Sequence, residues 1–155
     1  MWRSKPDKRF VHRLHQKLFD YGEIAGWNIT QTLHGQQILD RLSAKLLSKL
    51  RFWRPVYVYA GAHWDFKGLF GLELEEKRCG IVRKIILRDS YAEVVIDYTE
   101  EMASAFLTDS KLRLSPCWQG KDVGQDKYRP IKLLSLATTY NPNIVESGEL
   151  LENNI

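Results

Sequence analysis

The sequence predicts an α+β domain built on a mostly antiparallel, barrel-like sheet with flanking helices. Six or seven runs of β-branched and aromatic residues have strand length and are bounded by turn-forming residues. Those runs often follow one another directly, as hairpin-connected strands do, instead of alternating with helices. Only two or three segments repeat apolar residues at helical spacing.

The 155 residues match one compact domain, and a 44% hydrophobic content excludes an intrinsically disordered or low-complexity chain. The longest nearly uncharged apolar run, 55–62, falls far short of the ~20 residues of a spanning helix, and the N-terminal residues lack a signal-peptide apolar stretch. The expectation is a soluble intracellular protein with no membrane partner. Cys79 and Cys117 have no CxxC partner, which points to free thiols and to neither a disulfide framework nor a zinc site. Charge is uneven. Residues 1–20 hold six basic and two acidic side chains, a local +4, while positions 21–155 balance at 17 of each sign. The expected organisation is a basic flexible segment over 1–10, a single domain over 11–144 and a loose acidic tail over 145–155.

Residues 10–18 fit either a helical face or a strand. Residues 24–33 read as a strand, with His34 and Gly35 as its turn. From 36 to 50 the set Ile38, Leu39, Leu42, Leu46, Leu47 and Leu50 recurs at three- and four-residue spacing and predicts a helix. Pro55 stops it, and Val56-Tyr57-Val58-Tyr59 reads as a strand delivering the chain to His63. Residues 66–78 read as an excursion. Runs 80–87 and 92–98 flank Arg88-Asp89-Ser90-Tyr91 as a hairpin. Thr99 followed by Glu100 and Glu101 suits the start of a short helix. Runs 111–117 and 128–139 read as the last strands, separated by a polar loop over 119–127.

A hydrolytic site needs a nucleophile, a base and a group that orients the base. His12 and His15 read as solvated surface groups in the basic segment, and His34 as a turn residue. His63 follows an apolar strand and a glycine, where a rigid element can hold a side chain at the sheet rim. Asp65, two positions on, projects the same way in extended backbone and could orient the imidazole. Ser115, near the end of a short run stopped by Pro116, is the candidate nucleophile, with Cys117 as its competitor on the same face. There is no phosphate loop, GxSxG elbow, HExxH or paired-histidine spacing, and Glu73, Glu75 and Glu76 read as solvated charge.

The order of these segments resembles the head-maturation proteases of Mu-like phages and prophages over roughly residues 14–144. It runs from Pro55-Val56-Tyr57-Val58 into His63-Trp64-Asp65, through the hairpin ending Tyr98-Thr99-Glu100, to Leu114-Ser115-Pro116 and the closing Leu133-Leu134-Ser135-Leu136-Ala137-Thr138-Thr139-Tyr140-Asn141-Pro142. Those proteases look like distant relatives of the herpesvirus capsid maturation protease, a β-barrel surrounded by helices. The resemblance implies Ser115 as nucleophile and His63 as general base. Family members commonly carry a Gly-His-Pro-Asp type sequence where this chain has Gly61-Ala62-His63-Trp64-Asp65. Residues 132–135 offer no carboxylate or imidazole as a third member, which leaves Asp65 or an unassigned group. Pro116 cannot donate an oxyanion N–H, so donors are sought near 136–141 or through a water on Arg113 or Arg129.

The resemblance further implies capsid, portal or scaffold segments and the chain itself as substrates, no cofactor or metal, and a homodimer as a further state. The setting would be the assembling prohead in the bacterial host cytoplasm. A catalytically silent capsid-assembly or scaffold-associated module of the same fold is the alternative. Nucleic-acid binding through residues 1–20, with Trp2 and Phe10, is a third reading that the neutral body argues against as the main role.

Overall fold

The computed structural model describes residues 9–27, 34–61, 77–142 and 144–154, with backbone alone for 23–27 and 34–35. The elements are β1 (His12–Asp20), β2 (Gly22–Trp27), β3 (His34–Leu39), α1 (Arg41–Leu47), β4 (Tyr57–Tyr59), β5 (Arg78–Leu87), β6 (Tyr91–Tyr98), α2 (Glu100–Thr108), β7 (Arg113–Gly124) and β8 (Lys127–Thr139). A 3-10 turn over Glu152–Asn154 follows.

The strands form one sheet, curled into a half-barrel, in the path β1-β6-β5-β4-β8-β3-β2, with β7 on β8. The strand β8 organises it. Its ladder to β7 runs from Lys127 to Thr139 and uses one edge, leaving the other edge for two strands. There β3 pairs near its start (Gln36↔Lys127) and β4 near its end (Tyr57↔Ser135), both parallel to it. The sheet is therefore mixed, which corrects the mostly antiparallel expectation. Both parallel partners reach β8 through long stretches of chain, which parallel pairing requires.

Alternation along β6 buries Ala92, Val94, Ile96 and Tyr98 in the core with Leu14 and Leu18 of β1. The helix α1 packs on β8 and β5, and α2 on β1 and β6. The hairpin of β5 and β6 and the Thr99 cap, whose hydroxyl accepts from the Met102 N–H at 3.3 Å, fall where the sequence puts them.

Five expectations are resolved, the first an open alternative and the other four corrections. Residues 12–20 are a strand, because β6 offers a full antiparallel ladder. His34 and Gly35 open β3 opposite Trp27 and Gly26 instead of forming a turn. The helix predicted over 36–50 spans Arg41–Leu47 alone: Gln36 and Gln37 are drawn into the β8 ladder, and the Asp40 carboxylate caps the helix by accepting from the Ser43 N–H at 2.9 Å. The polar loop over 119–127 is mostly ladder, with a tight turn at Gln125 and Asp126, whose φ of 56° and 57° suit a two-residue hairpin.

The fifth concerns the ends of the chain. Phe10, placed in the flexible segment, is buried, and its neighbour Val11 donates its N–H to the Tyr98 carbonyl at 3.1 Å; residues 1–8 lie outside the described residues. The tail is not loose. Leu114 N–H donates to the Ser147 carbonyl at 3.0 Å, Gly148 N–H to Lys17 at 2.7 Å, Lys17 N–H to Glu149 at 2.8 Å and Leu151 N–H to His15 at 3.0 Å. The tail thus crosses from the outer edge of β7 to the outer edge of β1. Buried Ile144 and Ser147 hold it down.

Gly148 makes this crossing sterically feasible. Its φ is +95°, and an added Cβ would stand 2.5 Å from the Leu114 nitrogen. Gly124 has a similar φ of +91° but nothing within 4 Å. Gly148→Ala is expected to cost more than Gly124→Ala, whose cost is the backbone strain alone, on the order of 1–3 kcal/mol. Urea denaturation of both variants checks this, and equal losses would overturn the steric account of Gly148.

Candidate functional site

One end of the sheet carries Ser115 and the point where the chain leaves β4 toward position 63. Here β4, β6 and β8 finish and β1, β5 and β7 begin. Ser115, half-buried near the start of β7, is in register with Ala137 of β8, which is in register with Tyr59 of β4. Two strand spacings, roughly 10 Å, separate the Ser115 and Tyr59 backbones. Just past Tyr59 the Gly61 N–H donates to Thr138 Oγ1 at 2.9 Å, and the Ala60 N–H donates to the Lys77 carbonyl at 2.9 Å. These two bonds tie the neck of the excursion to the β8 end. His63 and Asp65 follow Gly61 in sequence and lie outside the described residues.

Cys117 shares the Ser115 face but is only 1% exposed, so the serine is the more accessible of the two side chains. Cys79, the other thiol, is buried against the Val58 carbonyl, and burial pushes it up to about 12. Pro116 sits where its missing N–H costs little. Because Leu114 turns its N–H outward to Ser147, Pro116 also faces outward, off the β8 ladder.

The oxyanion alternatives narrow. Arg129 lies opposite Lys121, six residues along β7 from Ser115 and so roughly 20 Å away, where its guanidinium bonds Asp40 and the Ser43 hydroxyl. It is removed as a water-holding group for this site. Arg113 is close in sequence, with Nη1 donating to the Ser110 carbonyl at 2.6 Å and the Leu112 carbonyl at 3.0 Å. The Asn141 N–H donates to Thr139 Oγ1 at 3.0 Å.

Two depressions flank this end. One, about 600 Å³, is lined by Arg9, His12, Ala60, Lys77, Thr99 and Glu101 among others. The second, about 490 Å³, lies between the α2–β7 turn and the chain after β8, with Lys111, Arg113, Tyr140 and Asn141 in its wall. Tyr140 Oη donates to Asp109 Oδ2 at 2.7 Å there and draws the carboxyl below its ordinary range.

His15 is not the solvated group the sequence suggests. Its Nδ1 lies 2.7 Å from Glu93 Oε2, while Arg88 Nε donates to Glu93 Oε1 at 2.9 Å. A second carboxylate, Asp97, accepts from Arg13 Nε at 2.9 Å and Arg83 Nε at 2.8 Å. Both lie on the outer face of β6, opposite the core, and Glu93 is 1% exposed. Burial alone would raise both carboxyls, but the hydrogen bonds from His15 and Arg88, and from Arg13 and Arg83, outweigh it and hold both below the usual range. The signal in the sequence is the period-two spacing of Arg13, His15 and Lys17 and of Glu93 and Asp97. Among the described residues, no group of three or more His, Cys, Asp or Glu side chains is placed to hold a metal, and no helix is long and apolar enough to cross a membrane.

No family model, curated protein or solved structure matches the chain.

Both outer-face carboxyls ionise in the folded chain below their unfolded values, so the unfolded chain binds more protons as the pH drops. Their stabilisation is complete above the unfolded values, about 4, and is lost as the pH falls through the folded ones. Thermal midpoints measured down to acid pH are expected to fall in this window, and Glu93→Gln and Asp97→Asn should each flatten that limb. An unchanged limb in both variants would refute the assignment.

Proposed function

We propose that this chain is a serine endopeptidase of the head-maturation type, with Ser115 as nucleophile and His63 as general base. The observation that supports it best is the shared sheet end: Ser115 stands in the row of Ala137 and Tyr59, and Gly61, two residues before His63, is tied to β8 in the next position, Thr138. An excursion of this origin has to travel about two strand spacings to bring an imidazole to the serine. The half-barrel with α2 beside it agrees with the resemblance at the level of fold class alone.

In this reading Ser115 Oγ attacks a peptide carbonyl carbon while His63 takes the hydroxyl proton. The tetrahedral intermediate collapses with cleavage of the C–N bond, and His63 returns the proton to the leaving amine. Water, deprotonated by the same imidazole, then hydrolyses the acyl ester and restores the serine. Asp65 orients the imidazole. The two depressions at this end of the sheet seat polypeptide, the substrates being capsid, portal or scaffold segments and the chain itself within the assembling prohead.

Pro116 supports the second reading, a silent capsid-assembly module. It removes the amide that many serine hydrolases use for the oxyanion, and loss of one such donor typically costs 100- to 1,000-fold in rate. Intact-mass analysis after a fluorophosphonate probe separates the two. A single adduct on Ser115, absent from Ser115→Ala and strongly reduced in His63→Ala, is the expected result. No adduct on folded wild-type protein, tested as monomer and as any dimer, would replace the protease with the silent module.

A further inference from the structure

The turn after α1 carries two adjacent exposed aromatics. The Arg54 N–H donates to the Arg51 carbonyl at 3.0 Å, closing a turn whose two corner residues are Phe52 and Trp53. They are 91% and 60% exposed. Their rings meet edge to face at 5.0 Å, and the Arg51 guanidinium lies 5.4 Å from the Trp53 ring centre. Neither aromatic belongs to the core cluster. Two large rings at a turn tip therefore remain in water in the isolated chain, between Arg51 and Arg54.

The turn adjoins a row of cations. The Val82 N–H donates to the Val56 carbonyl at 2.8 Å, which extends the β4–β5 ladder and brings Arg54 and Pro55 alongside Arg83 and Lys84. A bulge at Arg83 lets it reach Asp97 on the outer face while Lys84, opposite Val95, faces the same way. Arg88 lies five residues further along the chain, roughly 17 Å for extended strand. The side chains of Arg13, Arg83 and Arg88 remain 53%, 45% and 44% exposed although each meets a carboxylate. Glu93 and Asp97 are already shared with these arginines, so Lys84, Arg51 and Arg54 leave the strip net positive.

We propose that this strip, from the Phe52–Trp53 turn along β5 to Arg88, binds single-stranded nucleic acid. A track of cations matches a chain of phosphates, and unstacked bases present ring faces that Phe52 and Trp53 can meet; a duplex hides them. An anionic membrane would be met by cations ringed around a protruding apolar tip, whereas here they continue away from the tip across a sheet face. The strip does not depend on the protease reading, so Ser115→Ala is expected to bind as wild type does.

The test is fluorescence anisotropy of a labelled oligothymidylate of about 20 nucleotides with the whole chain over a salt series, beside a duplex of equal length and phosphatidylserine vesicles. Single strand is expected to bind more tightly than duplex and to weaken as salt rises. The double variant Phe52→Ala/Trp53→Ala should lose about tenfold or more at fixed salt, and Arg54→Ala/Lys84→Ala should lower the salt slope. All four positions are exposed, and circular dichroism confirms that the fold is retained. The proposal is overturned by no single-strand binding at low salt, by equal or tighter duplex binding, by variants that bind as wild type, or by binding to the vesicles alone.

Discussion

Gln16 is a fully buried amide in the middle of an apolar strand face, between Leu14 and Leu18, and the architecture answers its need for partners. Its oxygen accepts from Tyr98 Oη at 2.5 Å and its Nε2 donates to the Gly148 carbonyl at 2.9 Å. One side chain thus joins β1, β6 and the tail, and a buried polar group left unpaired would cost about 1–3 kcal/mol. Room for the tyrosine comes from Gly80, where a Cβ would come within 2.8 Å of the Tyr98 ring. The same ring packs on Phe106 of α2, with centres 5.2 Å apart. The hydroxyl proton of Tyr98 is held well beyond its ordinary range, first by burial.

The two faces of β6 explain why such a link is tolerable. The inner face is apolar, while the outer face alternates Glu93, Val95 and Asp97. Val95 is fully buried between the paired carboxylates, with long basic side chains from β1 and β5 on the same face. The ionic layer therefore acts partly as packing. At the other side of the sheet a different polar device fixes β8: Arg129 reaches both the Asp40 cap and Ser43, and Ser43 Oγ donates to the Ile38 carbonyl at 2.5 Å. Burial opposes ionisation of Asp40, but Arg129 and Ser43 prevail and lower its pKa.

Local signals were readable where they act alone. The Asp-Ser hairpin between β5 and β6, the Thr99 cap and the Val56-Tyr57-Val58-Tyr59 run each carry their own turn or propensity information. Features set by distant partners were not. Ile38 and Leu39 fit a helical stripe, yet Gln37 is fixed by the β8 ladder and by Trp118 Nε1, which donates to its Oε1 at 2.7 Å. Gln125 and Asp126 lack the glycine that usually marks their turn. The acidic tail looked solvated because its anchors, Gln16 and Leu114, lie far away in sequence. Of the candidate site, a strand carrying Ser115 was legible, but its extent was not: Pro116 does not stop the run, because its missing N–H faces off the β8 ladder and β7 continues to Gly124. His15 was misread because Glu93 is 78 positions away.

The path of the tail also bears on how the chain is made. A nascent chain presents β1 before the other strands of this sheet, yet β1 has β6 on one edge and residues 148–151 on the other. The Gln16 amide waits through 132 positions of synthesis for its carbonyl. Until then β1 is a strand with an open edge and an unanswered polar group, the kind of surface that holding chaperones cover. Completion of this sheet accordingly waits on the tail, and a ribosome stalled before Gly148 would carry an unfinished one.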